Sequence, residues 1–281
     1  MARFNDYIDT TALAHAHANL IVVLVEGQTD QDFLERMFPD LNTELRFEAV
    51  HGCTVLPRRL SDERRTCPKV FGLLDRDYLK REQRWVDLFQ TDDDAFARAT
   101  RRDGLYILTR WEIENYLLHP DAVCELVRHW RAEQFDEETL IDRMLTDALA
   151  ELHVTAAWCT AHSQGVGQDS APAACVDAEV LPNLVADWIT RKIPSDAPNP
   201  HADHIAKVEA FDPGEGTPKR DRVLALLRMV DGKRFLERLR RRWLSMPTED
   251  PSNQLAANAG RIRPKTDDLS LILEELRAAQ R

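Results

Sequence analysis

Several things are scarce in this 281-residue sequence, and each scarcity excludes something. Apolar runs are short: none approaches the ~20 residues that a membrane-spanning helix needs. The first residues carry Asp6 and Asp9 and lack the apolar core of a signal peptide, so a cytoplasmic protein is expected. Cysteine is sparse and scattered: Cys53, Cys67, Cys124, Cys159 and Cys175 include no CxxC pair. That argues against a disulfide framework or a zinc knuckle and predicts reduced packing residues. Neither GxxxxGK[ST] nor GxGxxG occurs, so nucleotide sensing, if any, falls to a partner. Positive charge is in deficit, with a net charge of −11, which speaks against indiscriminate binding of polyanions. The deficit is uneven. Lys219 to Arg242 holds ten Lys or Arg against Asp221, Asp231 and Glu237, so a nucleic-acid substrate stays allowed.

What is present organises itself around Leu20 to Asp30, LIVVLVEGQTD. Leu20 to Val25 is apolar throughout and rich in β-branched residues, as in a strand buried on both faces of a parallel sheet. Glu26 and Gly27 end it abruptly, and Phe33, Leu34, Met37 and Phe38 then fall at helical spacing up to Pro39. Lys69 to Leu74 repeats the pattern and runs straight into Asp75-Arg76-Asp77. In a parallel sheet both strands end on one edge, which is where open α/β sheets place their ligands. Glu26, Asp75 and Asp77 would then converge, and carboxylates crowded together call for a hard cation such as magnesium or manganese. Solvated strand-end carboxylates, with Thr29 or Asp30 capping a helix, are the plainer reading of the first stretch alone.

Leu45 to Val50 and Leu105 to Leu108 read as further strands, and Val55 to Arg65 as a helix. Strands alternating with helices over residues 1–120 predict a parallel α/β unit, interrupted by a charged loop-plus-helix insertion at 78–104. Residues 121–281 read as a helical domain. Its helices are expected around Val123 to Trp130 and Leu140 to Leu152, then at Val176 to Lys192, Arg220 to Val230, Gly232 to Leu244 and Leu269 to Ala279, between turn-rich connectors. Residues 1–19 read as a short helix or arm. Broad apolar helical faces are compatible with a homodimer.

Asp30 and Glu114 join Glu26, Asp75 and Asp77 in an acidic set suited to one or two divalent ions. An aspartyl-phosphate mechanism of the haloacid-dehalogenase kind would put the DxD after the first strand, where this chain has Glu26. His201 and His204 have ligand spacing without an evident third ligand and read as a surface pair. Cys159 and His162 lack an orienting third group, so Cys159 reads as core.

The stretch LIVVLVEGQTD followed by VFGLLDRDY resembles the TOPRIM domain shared by topoisomerases, primases and OLD-family nucleases. Its hallmarks are a Glu after the first strand and a DxD after the third. The block LTRWEIENYLL, Leu108 to Leu118, is similar to the overcoming-lysogenization-like branch, and in particular to the TOPRIM effector subunits of PARIS anti-phage systems. The resemblance covers roughly residues 18–120 and implies a Rossmann-like TOPRIM sheet followed by a mostly helical domain. It implies Glu26 as metal ligand and general acid/base, Asp75 and Asp77 as metal ligands, Asp30 supporting a second ion, and Mg2+ or Mn2+ as cofactor. Glu114 is the expected further ligand, with Glu112 an ordinary helix-start carboxylate. Lys233, after Asp231-Gly232, matches the lysine that such nucleases use to stabilise charge at the scissile phosphate; otherwise it is the solvated first residue of a basic helix. Arg238, Arg241 and Arg242 could face phosphates or an acidic partner. The implied protein is a toxic nuclease effector restrained and released by an ABC/OLD-type ATPase subunit, cleaving RNA and tRNA in particular. A DNA nickase or endonuclease, and a catalytically silent TOPRIM regulatory subunit, are the alternatives. A topoisomerase is not indicated, because no region around Tyr78, Tyr106 or Tyr116 looks built for strand transfer.

Overall fold

A computed structural model describes residues 20–131, 136–166, 176–193, 199–244, 250–262 and 267–278. The expectation for residues 1–19 and the packing of Cys175 lie outside these. Four strands form one parallel sheet in the order β2-β1-β3-β4: β1 Ile21–Val25, β2 Leu45–Ala49, β3 Val70–Leu74 and β4 Leu105–Ile107. β1 is central, and all five of its residues are buried, which is why its sequence is uniformly apolar rather than alternating. The chain divides into two compact units: Met1–Leu74, Arg101–Ile107 and Pro264–Arg281 form the first, Asp75–Thr100 and Leu108–Arg263 the second. Most of the insertion after β3 thus falls in the helical unit, and the last helix, Asp268–Ala278, falls with the sheet.

In the sheet unit, helices Gln28–Met37 and Leu56–Arg64 follow β1 and β2. Gly72 of β3 lies so close beneath the second of these that a Cβ would collide with Leu56, and would crowd Leu60 and Leu105 as well. Helix Asp268–Ala278 is tied in by Arg277, which grips Glu44 through two bonds of 2.7 and 2.8 Å, and by Glu275, which accepts from Tyr106 and Arg101.

The helical unit is built on Glu137–Ser163, whose N-cap Asp136 accepts from the Thr139 N–H. Its small residues Ala150, Val154, Ala157 and Ala161 pack against Leu181, Val185, Trp188 and Ile189. The helix expected from Val176 starts at Leu181, with a proline in its first turn, and the one expected to reach Val230 is Lys219–Leu226. Helices His201–Glu209 and Ser252–Ile262 were not anticipated. Both begin inside turn-rich stretches and carry few large apolar residues, so their periodicity is faint. The expected helix Gly232 to Leu244 is α-helical only to Arg238 and continues as a π-helical turn, Leu239–Trp243. Arg238 and Trp243 both reach Asp147. Five residues apart, they would diverge on a regular α-helix, and the wider turn brings them to one side.

His119 caps helix Pro120–Trp130, its Nδ1 accepting the Asp121 N–H at 3.2 Å. Burial, then the charges of Arg110 and Arg220, push its pKa down to about 4. A proton on His119 therefore opposes folding: stability is full above the unfolded value near 6.5 and is lost as pH falls from there toward 4. His119→Asn keeps an acceptor at the cap and is expected to flatten that loss, by up to about 3 kcal/mol. Denaturant titrations at several pH values check this, and identical pH slopes for variant and parent would refute it.

Among the described residues, no helix is long and apolar enough to cross a membrane. Cys53, Cys67, Cys124 and Cys159 are free thiols, all buried.

Candidate metal centre

Leu24 of β1 stands opposite Gly72 of β3, so the chain emerges from both strands at one edge of the sheet. Glu26 is the first residue beyond β1. The loop it opens is clamped from three sides. Gly52 N–H donates to the Glu26 carbonyl at 2.9 Å, Asp30 Oδ2 accepts the Gly27 N–H at 2.8 Å, and Ala49 N–H donates to Gln31 Oε1. Asp30 thus works as a helix cap at the mouth of this loop. His51, with φ at 60°, turns the chain beyond β2 at the same edge in a left-handed conformation rare for a residue with a side chain. β3 passes directly into Asp75, so peptide continuity brings Asp75 out at the edge where Glu26 stands. Glu26, Asp75 and Asp77 make up an acidic group that could hold a metal ion. All three donors are carboxylate oxygens, a set that fits a hard divalent cation and suits soft, thiolate-seeking ions poorly.

Arg76, between the two aspartates, is completely buried. Its guanidinium donates to the carbonyls of Leu88 at 2.9 Å, Gln90 at 2.6 Å and Thr109 at 2.6 Å, and lies between the rings of Phe96 and Phe211. It pins the turn that carries Asp75 and Asp77. Burial raises the Asp77 pKa, with Lys80 opposing and Glu112 reinforcing the shift. Lys80 is itself buried, its ammonium 3.8 Å from Asp77 and close to the faces of Trp111 and Trp158.

The stretch Thr109 to Leu117 shows how the helical unit holds its own carboxylates. Arg110 donates to the Asn115 carbonyl at 2.8 Å. Asn115 accepts the Glu112 N–H through Oδ1 and donates to the Val230 carbonyl through Nδ2. This ties the glutamates to the turn that starts helix Gly232–Arg238, where a Cβ on Gly232 would collide with the Asn115 and Glu114 side chains. Lys233 consequently meets both glutamates: its ammonium is 2.8 Å from Glu112 and 3.5 Å from Glu114, and its N–H donates to Glu112 at 3.3 Å. Partial burial works against the charged lysine, but Glu112, Glu114 and Asp75 outweigh it and hold the pKa above its usual value. Burial, with Glu112 next, pushes the Asp231 carboxyl up to about 8.

Glu112 is therefore not a solvated helix-start residue: it is 7% exposed and shares Lys233 with Glu114. Lys233 combines both expectations, with a side chain still 61% exposed and an ammonium held on the glutamate pair. The basic stretch behaves differently from its sequence. Lys219, Arg220, Arg222 and Arg228 pair with Asp142, Asp121, Asp212 and Asp93. Lys233 and Arg234 pair with Glu112 and Glu151, and Arg238 with Asp147. Arg240 and Arg241 share Glu237, and Arg242 takes Asp177. All ten cations are matched within the helical unit. Arg238, expected on a polar face, is fully buried. His204, expected at the surface, is buried too, with Nδ1 3.0 Å from Thr160 Oγ1 and its ring stacked on Trp85 and Phe89. Sequence reasoning missed Lys80, Asp231 and the anchoring role of Arg76. The only hint was their closeness in sequence to the DxD and to Lys233. No protein-family model and no curated protein matches this chain.

Proposed function

We propose that the protein is a Mg2+- or Mn2+-dependent nuclease of the TOPRIM type and OLD-like branch, acting on RNA as the effector of an ATPase-coupled anti-phage system. The observation that carries this reading is the emergence of a Glu and a DxD from adjacent parallel strands, the arrangement the motif resemblance called for. Glu26, Asp75 and Asp77 would hold the first ion, with Asp30 and Glu114 as candidates for a second. The bound cation would supply Lewis-acid polarisation of a phosphoryl oxygen. Glu26 would also accept or return a proton at the attacked phosphodiester. Lys233, kept protonated by its glutamates, would place a positive charge where the phosphate gathers negative charge. Glu112 would orient that ammonium, and Lys80 would hold Asp77 in place.

Cleavage of total tRNA and of supercoiled plasmid, with Mg2+, Mn2+ or EDTA, tests the reading and chooses RNA or DNA. Metal-independent cleavage would overturn it. Lys233→Ala is expected to lower turnover by about 100-fold while leaving metal affinity, read by calorimetry, unchanged. An unaltered rate would return Lys233 to a structural role. The pairing of all ten cations between Lys219 and Arg242 favours one second reading, a catalytically silent TOPRIM regulatory subunit, for which no metal-dependent turnover would be found on either substrate. The missing nucleotide loops leave ATP chemistry to the ATPase partner.

A further inference from the structure

The sheet unit carries a cavity of about 430 Å³ in which charge and apolar surface are combined. Pro57, Leu60 and Leu105 supply its apolar wall, and Arg64, Arg65 and Arg102 its charge. Leu105 is the first residue of β4 and Arg64 the last of helix Leu56–Arg64, so the cavity lies at the N-terminal end of β4, away from the edge where Glu26 stands. The Arg64 side chain and the Arg102 backbone are held in position. Arg64 donates to the carbonyls of Pro68 and Val70 and lies over the Phe71 ring at 5.1 Å. Arg102 and Leu105 bond to each other across a tight turn, with Asp103 and Gly104 at φ of 43° and 82°. Among the described residues, Arg64 and Arg102 have no carboxylate partner, and Arg65 has only Asp62 at 3.4 Å in an exposed pair. Among the described residues Asp103 is the single carboxylate in the lining. The C-terminal dipole of the helix, worth about half a negative charge, offsets only part of the remaining excess.

We infer that this cavity is a docking site for an acidic peptide segment of a partner protein, with one apolar side chain seated against Pro57, Leu60 and Leu105 and flanking carboxylates on Arg65 and Arg102. Charge complementarity selects the acidic partner. Among the described residues the lining holds no aromatic ring on which a nucleobase could stack, which favours a peptide over single-stranded nucleic acid. The inference does not rest on the nuclease reading.

The test is fluorescence anisotropy of a fluorescein-labelled Glu-Glu-Leu-Asp-Glu-Glu peptide titrated with the full chain. Saturable binding is expected, weakened at least about tenfold in the double variant Arg65→Glu with Arg102→Glu and weakened again when the peptide leucine becomes serine. Both arginines are exposed, so the variant should fold, and thermal unfolding checks that it does. No binding of the peptide, or equal affinity in the folded double variant, would overturn the inference. Displacement of the peptide by a single-stranded RNA oligonucleotide would also overturn it, by giving the cavity to nucleic acid.

Discussion

Glu26→Ala is expected to abolish metal-dependent cleavage, by about 1000-fold or more, and to leave the protein folded. The two halves of that expectation have separate physical causes. The loop around Glu26 is held through main-chain groups and neighbours: the Glu26 carbonyl accepts from Gly52, and Asp30 caps the helix through the Gly27 N–H. Alanine keeps all of these bonds. What it removes is one carboxylate from the acidic group with Asp75 and Asp77, and with it the candidate general acid/base. Metal titration by calorimetry, cleavage rate and thermal unfolding should be read on the same preparation. Lost cleavage with an intact melting transition supports the site; full cleavage by the variant would remove Glu26 from any mechanism.

Arg76→Met is expected to cause the largest loss of stability of any change at the DxD. The guanidinium is wholly buried and serves three backbone carbonyls at once, those of Leu88, Gln90 and Thr109. Methionine fills much of the volume between Phe96 and Phe211 but offers no donor, and each buried carbonyl left unsatisfied costs roughly 1–3 kcal/mol. A combined loss of about 3–5 kcal/mol is a large part of ordinary domain stability and should lower the melting temperature by roughly 10 °C or more. Arg76→Lys should restore little, because a single ammonium cannot span three carbonyls held in a fork. A melting temperature within about 2 °C of the parent would mean that the insertion after β3 is anchored elsewhere. Because Arg76 sits between Asp75 and Asp77, the same variant should also weaken metal binding, whereas Glu26→Ala should do so without the loss of stability.

The parallel sheet was legible because its signal is local and strong. Ile21 to Val25 and Val70 to Leu74 are short, continuous apolar runs that make sense only when buried on both faces, and a carboxylate following such a run stands out. Helices with a clear apolar stripe, such as Pro120–Trp130 and Asp268–Ala278, were legible for the same reason. Gly232–Arg238 was legible only in part, because its turn into a π-helix answers to Asp147 and not to its own periodicity.

The sequence by itself therefore determined the strands, their shared direction and the identity of the strand-end carboxylates, since hydrophobic periodicity and turn chemistry act over a few residues. The tertiary structure decided what each charge faces. Lys233 and Glu112 are 121 residues apart and meet through Asn115 and the close approach at Gly232. The ten cations between Lys219 and Arg242 read as an open basic face, yet their partners arrive from as far away as Asp93 and Asp121. Arg64 and Arg102 are no more basic in sequence than those ten, and they differ in that, among the described residues, the fold brings no carboxylate to them. A side chain's type sets the charge it can carry, but whether that charge is spent inside the protein or offered to a ligand depends on which distant segments pack beside it.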